Sequence, residues 1–324
     1  MNVRAWLHPE LPQVGMRRHG CFEGWYYKLV DRDARLALAL IPGFAAGRAG
    51  HGFVQAMAPA LGLQAIYRFP LQAVRLDRRQ LDVAVGPCRF RRDGLLVDLH
   101  GQHEITGELR FEDIVPFPAK GLLRGPMGPF GMAPGMECYH GIVNVRERLR
   151  GTLRIDGQPV DFTGGAGYVE KDWGRSFPQA WVWLQGNHFA REDACFLFSA
   201  AIIPWLTGSF LGFFALLFQG GRLHLLATYN GGRLEDLRCD QGSVHAKVRG
   251  RAGTLEVQAR CDARGLLTAP QKGLMNRPIQ ESIDADVAVR LTAPDGRTLF
   301  EGRSAHGGME CCETELLLNR LNLH

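Results

Sequence analysis

Period two dominates this chain. Ile105, Gly107, Leu109 and Phe111 share one phase, as do Leu255, Val257 and Ala259, and then Ile283, Ala285, Val287 and Val289. Alternation of this kind puts every second side chain on one face of a strand. Asp93-Gly94, Asp156-Gly157, Gly220-Gly221, Asn230-Gly231 and Asp295-Gly296 punctuate the runs, and hairpin turns favour such residues because they tolerate positive φ. Long stretches with helical periodicity are nearly absent. A chain written this way is all-β, and 324 residues suffice for two domains, each with its own core.

Short strings recur in the same order in both halves. Trp25-x-Tyr27 opens a hairpin that ends at Ile41-Pro42, and Trp181-x-Trp183 opens one that ends at Ile203-Pro204. Gly135-Met-Glu-Cys138 returns as Gly308-Met-Glu-Cys311. The order predicts two copies of one β-barrel-like unit. The expected divisions are an N-terminal arm over 1–20, a first barrel over 21–164 and a second over 165–324. Residues 115–136, rich in Gly and Pro, read as one long loop.

Several function classes are disfavoured at once. The net charge is +5 and the basic residues are almost all Arg, without a basic run or an RNA-binding signature, so no nucleic-acid partner is expected. Eight Cys without CxxC pairs suggest neither a disulfide framework nor a zinc ribbon. The start, MNVRAWLHPELPQ, lacks the apolar core of a signal peptide, which predicts a cytoplasmic protein. From Ala194 to Gly221 there is no charged residue, and ~20 apolar residues can span a bilayer. Pro204, Gly208 and Gly212, with Thr207 and Ser209, cut that run into strand lengths. Buried strands are expected there, with peripheral contact at a lip as the only membrane association.

Chemistry concentrates between Gly164 and Phe189. In a strand, Tyr168, Glu170 and Asp172 share one face, and Val169, Lys171 and Trp173 the other. Gly174 and Pro178 break the pattern, after which Trp181, Trp183, Gln185, Asn187 and Phe189 alternate. His140 lies upstream in GMECYHG. Glu137 and His140 have the look of metal ligands, but no third ligand stands at a sensible spacing, so no metal is expected. The bland alternatives are strand-face ion pairs for Glu170 and Lys171, core packing for the tryptophans and a hydrogen-bonded core role for His140. Glu23 and Glu310, set in apolar motifs, read as structural acids.

The string Y-V-E-K-D-W-G…F-P-x-x-W-x-W-x-Q-x-N-x-F, with F-E-G-W-Y-Y-K at 22–28, resembles the tocopherol cyclase family. That family is distantly related to the carotenoid 1,2-hydratases (hydroxyneurosporene synthases), in which a Tyr-x-acid pair precedes a similar Trp-Gly. The resemblance runs from about Cys21 to the C-terminus. It implies tandem lipocalin-like (calycin-type) β-barrels and a cofactor-free cyclase of the isomerase class. Such an enzyme protonates a prenyl double bond of a prenylated quinol, and the phenol oxygen captures the cation.

By this resemblance Glu170 is the acid, Tyr168 its tyrosine and Asp172 the alternative acid. His140 stands near the place of the hydratase histidine. Trp181 and Trp183 would face the cation, Gln185 and Asn187 would bind the quinol head, and Trp25 and Tyr27 would complete the substrate-binding set. Glu170 in place of Asp, and Lys171 in place of a His, depart from the hydratase motif and weaken hydration as the reaction. A non-catalytic carrier of a lipophilic molecule is the main alternative, and isoprenoid hydration the weaker one.

Overall fold

The computed structural model describes residues 8–16, 19–47, 49–121, 123–191, 193–205 and 207–321. Residues 1–7, 17 and 18 of the expected N-terminal arm lie outside that set, as does residue 206 of the uncharged run. The chain divides into two compact units. Unit 1 comprises Met1–Gly125, Cys138–Phe177 and Leu267–Pro278; unit 2 comprises Pro126–Glu137, Pro178–Leu266 and Ile279–His324.

Unit 1 is built on a 12-stranded antiparallel sheet. Its first strands are β1 (Cys21–Val30), β2 (Ala37–Ala46), β3 (His51–Ala58) and β4 (Leu63–Pro70). Five more follow: β5 (Val74–Leu76), β6 (Asp82–Val85), β7 (Cys88–Arg91), β8 (Gly94–Leu99) and β9 (Ile105–Pro116). Then come the long β10 (Cys138–Ile155), β11 (Gln158–Asp161) and β12 (Ala166–Gly174). The order is β4-β3-β2-β1-β12-β10-β9-β8-β7-β6-β5, with β11 on β10. The two end strands follow one another in sequence through the single turn Leu71–Ala73, which nearly closes the sheet into a barrel. Its interior holds Trp25, Tyr27, Leu29, Phe44, Phe90, Phe111 and Val169 among many aliphatics.

Unit 2 repeats the plan with two fewer strands along the path. β13 (Trp181–Gly186), β14 (Cys195–Trp205), β15 (Gly208–Gln219) and β16 (Arg222–Ala227) mirror β1 to β4. After them come β17 (Arg233–Asp240), β18 (Ser243–Gly250), β19 (Gly253–Arg260) and β20 (Gly265–Gln271). The long β21 (Leu274–Thr292) and β22 (Thr298–Cys312) end the sheet. The order is β16-β15-β14-β13-β22-β21-β19-β18-β17, with β20 on β21. β22 therefore stands where β12 does, and β21 where β10 does. Among the described residues one α-helix occurs, Thr314–Leu321.

Three sequence expectations change. β12 lies between β1 and β10, so YVEKDW belongs to unit 1 and the division falls at Phe177/Pro178 instead of 164/165. Gly164 and Gly165 mark only the turn into β12. The two GMEC strings are not counterparts: the first leads into β10 and the second lies within β22, the counterpart of β12. The Trp strings lie on counterpart strands but on opposite faces, since Trp25 and Tyr27 point into the core whereas Val182 and Leu184 do so in β13. The uncharged run forms the β14–β15 hairpin, and no helix is long and apolar enough to cross a membrane.

Candidate active site

β12 presents its two faces to different surroundings, and period two explains which residue goes where. Val169 packs in the barrel interior. On the same face, Lys171 lies fully buried with its Nζ 2.5 Å from Glu23 Oε1, donating also to the carbonyls of Pro9 (3.0 Å) and Leu11 (2.5 Å). Its ammonium sits 5.0 Å from the Trp25 ring and 4.8 Å from the Trp173 ring. Burial draws the Lys171 pKa below its ordinary value, against the opposing pull of Glu23. This ion pair answers the expectation that Lys171 points away from Glu170.

The other face carries the chemistry. The Tyr168 hydroxyl donates to Glu170 Oε2 at 2.7 Å, an i,i+2 contact along the strand. Across the ladder, β10 sets His140 opposite Asp172 and Ile142 opposite Glu170. His140 Nδ1 lies 2.9 Å from Asp172 Oδ1, and Nε2 lies 3.4 Å from Glu170 Oε2. The result is a continuous polar chain, Tyr168–Glu170–His140–Asp172. Tyr168 is fully buried, Glu170 nearly so, and Asp172 is the most accessible of the four with 22% of its side chain exposed. The imidazole thus joins two carboxylates, one more buried than the other. In the tautomer whose Nδ1–H donates to Asp172, His140 turns a basic Nε2 towards Glu170.

Donor atoms of His140, Glu170 and Asp172 all fall within 4.8 Å of one another. Spacing in sequence offered no third ligand beside Glu137 and His140; the β10–β12 register supplies the acids instead. One imidazole nitrogen and two carboxylate oxygens suit a borderline divalent cation. Both ring nitrogens, however, already face carboxylates.

The remaining expected residues are not gathered into this cluster. Trp25 and Tyr27 lie fully buried on the core side of β1, and the Tyr27 hydroxyl donates to Arg91 O at 3.0 Å. Trp181, Trp183, Gln185 and Asn187 belong to unit 2. There the Trp181 indole N–H donates to Glu310 Oε2 at 2.6 Å, and Gln185 Nε2 donates to Asn187 Oδ1 at 3.2 Å. Gly308 lies under the Trp183 ring, where an added Cβ would come within 2.3 Å. Glu310 is therefore tied to a tryptophan that the sequence suggested only as an aromatic face.

Among the buried polar groups that sequence reasoning missed, two share the strand that carries His140. Asn144 and Glu147 of β10 are fully buried inside the barrel of unit 1. Strict alternation from Ile142 would turn Asn144 outward. Register shifts between Ile142 and Asn144, and again between Asn144 and Glu147, reset the phase. Nothing in GIVNVRERL announces such bulges.

Comparison with known proteins agrees with this architecture. The protein called AttH from Nitrosomonas europaea is 17% identical, with a TM-score of 0.54 over 89% of this chain and 91% of that one. CghA, in a structure with Sch210972, is 13% identical with a TM-score of 0.55 over 90% and 89%. Kievitone hydratase from Nectria haematococca is 11% identical with a TM-score of 0.54, covering 93% of each chain. No curated protein sequence matches the chain. These likenesses define the class: an all-β protein of tandem lipocalin-like barrels. Residues 136–312 match the family described as tocopherol cyclase-like, and the chain belongs to that family.

Proposed function

We propose that unit 1 is the proton-handling centre of a cofactor-free cyclase that closes a chromanol ring on a prenylated quinol. The observation that carries this reading is the buried chain Tyr168–Glu170–His140–Asp172. Protonating an alkene near neutrality needs an acid that water does not level, and a desolvated carboxyl meets that need. Glu170 gives its proton to the less substituted alkene carbon, and the tertiary cation forms on the other. The phenol oxygen bonds to that cation and its O–H proton leaves to His140 Nε2, which returns it to Glu170. Substrate and product have equal mass. The Tyr168 hydroxyl stabilises the carboxylate left after transfer, and Asp172 fixes the imidazole so that Nε2 remains the base. Asp172, the more exposed of the two carboxyls, is the alternative acid.

Hydration would follow the same first step with water capturing the cation, and the likeness to kievitone hydratase supports it as the second reading. Incubation with a prenylated hydroquinone separates the outcomes. Cyclisation leaves mass unchanged and alters retention; hydration adds one water; carriage returns the substrate intact. Glu170→Gln keeps size and polarity but has no proton to transfer, so turnover should fall by ~10²-fold or more while substrate still binds. Normal turnover in that variant refutes Glu170 as the acid.

A further inference from the structure

The buried carboxyl of Glu147 has no part in the chain described above. It lies on β10, seven residues after His140, and pairs in register with Gly167 of β12, three residues before Glu170. Seven residues separate His140 from Glu147 and the two bulges between them cancel in phase, so the first faces the polar chain while the second faces the barrel interior. Glu147 is fully buried, and neither carboxyl oxygen has a hydrogen-bond partner among the described residues. It presses directly on the β12 backbone: a Cβ added to Gly167 would lie 2.7 Å from both Cγ and Oε1 of Glu147.

Its surroundings suit an acid that keeps its proton. The amide of Asn144, from β10 itself, is engaged with the Arg92 main chain at 3.0 Å and with Arg92 Nε at 3.3 Å. The Arg92 guanidinium, from the β7–β8 turn, is thereby held by the amide. The Tyr27 hydroxyl, from β1, is taken by Arg91 O. The other charges that act on this corner, through Tyr27, are Asp82 of β6 and Asp93 of the β7–β8 turn, both of the wrong sign for a carboxylate. Consistent with that, burial moves the Glu147 carboxyl from its ordinary 4.5 up to about 8, with Asn144 and Arg92 pulling weakly the other way.

We infer that Glu147 is a positioning residue for the Tyr168–Glu170–His140–Asp172 chain, holding β10 and β12 in register only while it is protonated. The inference rests on reading that chain as the proton-handling centre. An ionised Glu147 would stand against Gly167 with only the already engaged Asn144 amide and the Arg92 charge to answer it, and its charge is relieved further only if water reaches it between the two strands. Opening that ladder displaces His140 on one strand and Glu170 on the other. The site is thus built to fail as pH rises through 8.

Two readouts test this together. Turnover of a prenylated hydroquinone is followed from pH 6 to 10, and the His140 imidazole is followed over the same range by NMR of histidine-labelled protein. The wild-type rate should fall about tenfold per pH unit above 8, as one ionisation requires. The His140 signal should move with the same midpoint. In Glu147→Gln both should hold steady to pH 9.5, and Glu147→Leu, which also cannot ionise, serves if the Gln variant does not fold. An alkaline limb that persists in these variants, or a wild-type His140 signal without a transition near pH 8, overturns the inference. Absence of turnover at every pH with the His140 transition intact would refute the cyclase reading and leave the role of Glu147 standing.

Discussion

Replacing Lys171 by Met probes the most deeply buried charge pair of unit 1. Lys171 and Glu23 are both wholly inaccessible, 2.5 Å apart, and Glu23 also accepts the main-chain N–H groups of Gln13 (2.8 Å) and Val14 (3.0 Å). Met fills much the same volume between Trp25 and Trp173 but leaves the Glu23 carboxylate without a countercharge. Breaking one side of a buried pair costs ~3–5 kcal/mol. The two N–H donors that remain hold the cost towards the lower end. Loss of the ammonium's place between the two indole rings adds ~1 kcal/mol.

The total expected is therefore about 4 kcal/mol. Converted at ~2–4 °C per kcal/mol for a domain of this size, Tm falls by roughly 8–16 °C. Adding Glu23→Gln removes the stranded charge while keeping an acceptor for Gln13 and Val14, so the double variant should recover ~2–3 kcal/mol. Urea unfolding of wild type, both single variants and the double variant closes the cycle. Additive losses, or a cost below ~1 kcal/mol for Lys171→Met, would refute the pair as a stabilising unit. Below the lowered Tm, turnover should change by less than about threefold, because Lys171 lies on the strand face opposite Glu170.

Two more outcomes follow from the titrating groups. Glu147 has its folded pKa raised from 4.5 to about 8, so its stabilising contribution is complete below 4.5 and is lost as pH climbs through 8. At ~1.4 kcal/mol per pH unit the whole span is worth about 5 kcal/mol at most, of which about 3 is already lost at pH 7. Glu147→Gln should therefore unfold at nearly the same urea concentration as wild type at pH 4.5 and at a higher one at pH 8–9; a difference independent of pH rejects the assignment. Dialysis against EDTA should change turnover by less than twofold, and added Zn²⁺ should inhibit by claiming His140, Glu170 and Asp172. Loss of activity restored by a divalent cation would instead make those three residues metal ligands.

Much of the fold was legible because antiparallel sheet leaves its period in the chain. Alternation in 105–111, 255–259 and 283–289 became β9, β19 and β21, and Asp93-Gly94, Asp156-Gly157 and Asp295-Gly296 fell at the β7–β8, β10–β11 and β21–β22 turns. Strand order left no such trace. Which strand pairs with β12 depends on contacts with β1, about 145 residues upstream in register, where Tyr26 meets Glu170. Glycines at 164 and 165 look the same at a hairpin as at a domain boundary, so the boundary was read a dozen residues early. Short repeated strings misled for a related reason. Two tetrapeptides can match by chance, whereas the duplication lies in the order of whole strands.

The site divides along the same line between local and non-local information. Tyr168, Glu170 and Asp172 could be set on one face from period two alone, and Lys171 on the other, because those relations stay within a single strand. Their partners could not be read: His140 reaches Asp172 through ladder register, and Glu23 reaches Lys171 from β1. Glu147 was further from view still. In GIVNVRERL it looks like a solvated member of a charged run, yet it stands an odd number of residues from His140 and the two bulges before it cancel, so it faces the barrel. Those bulges decide instead which residues share the interior face. A regular β10 would keep one phase, and a residue an odd number of positions from His140 would face the interior without interruption of the ladder. The shifts place Asn144 and Glu147 there together, three residues apart, with β12 passing over them as glycine at 167. The Tyr168–Glu170–His140–Asp172 face of unit 1 and its buried acid are therefore two sides of one irregular ladder, and a change in either should be felt by the other.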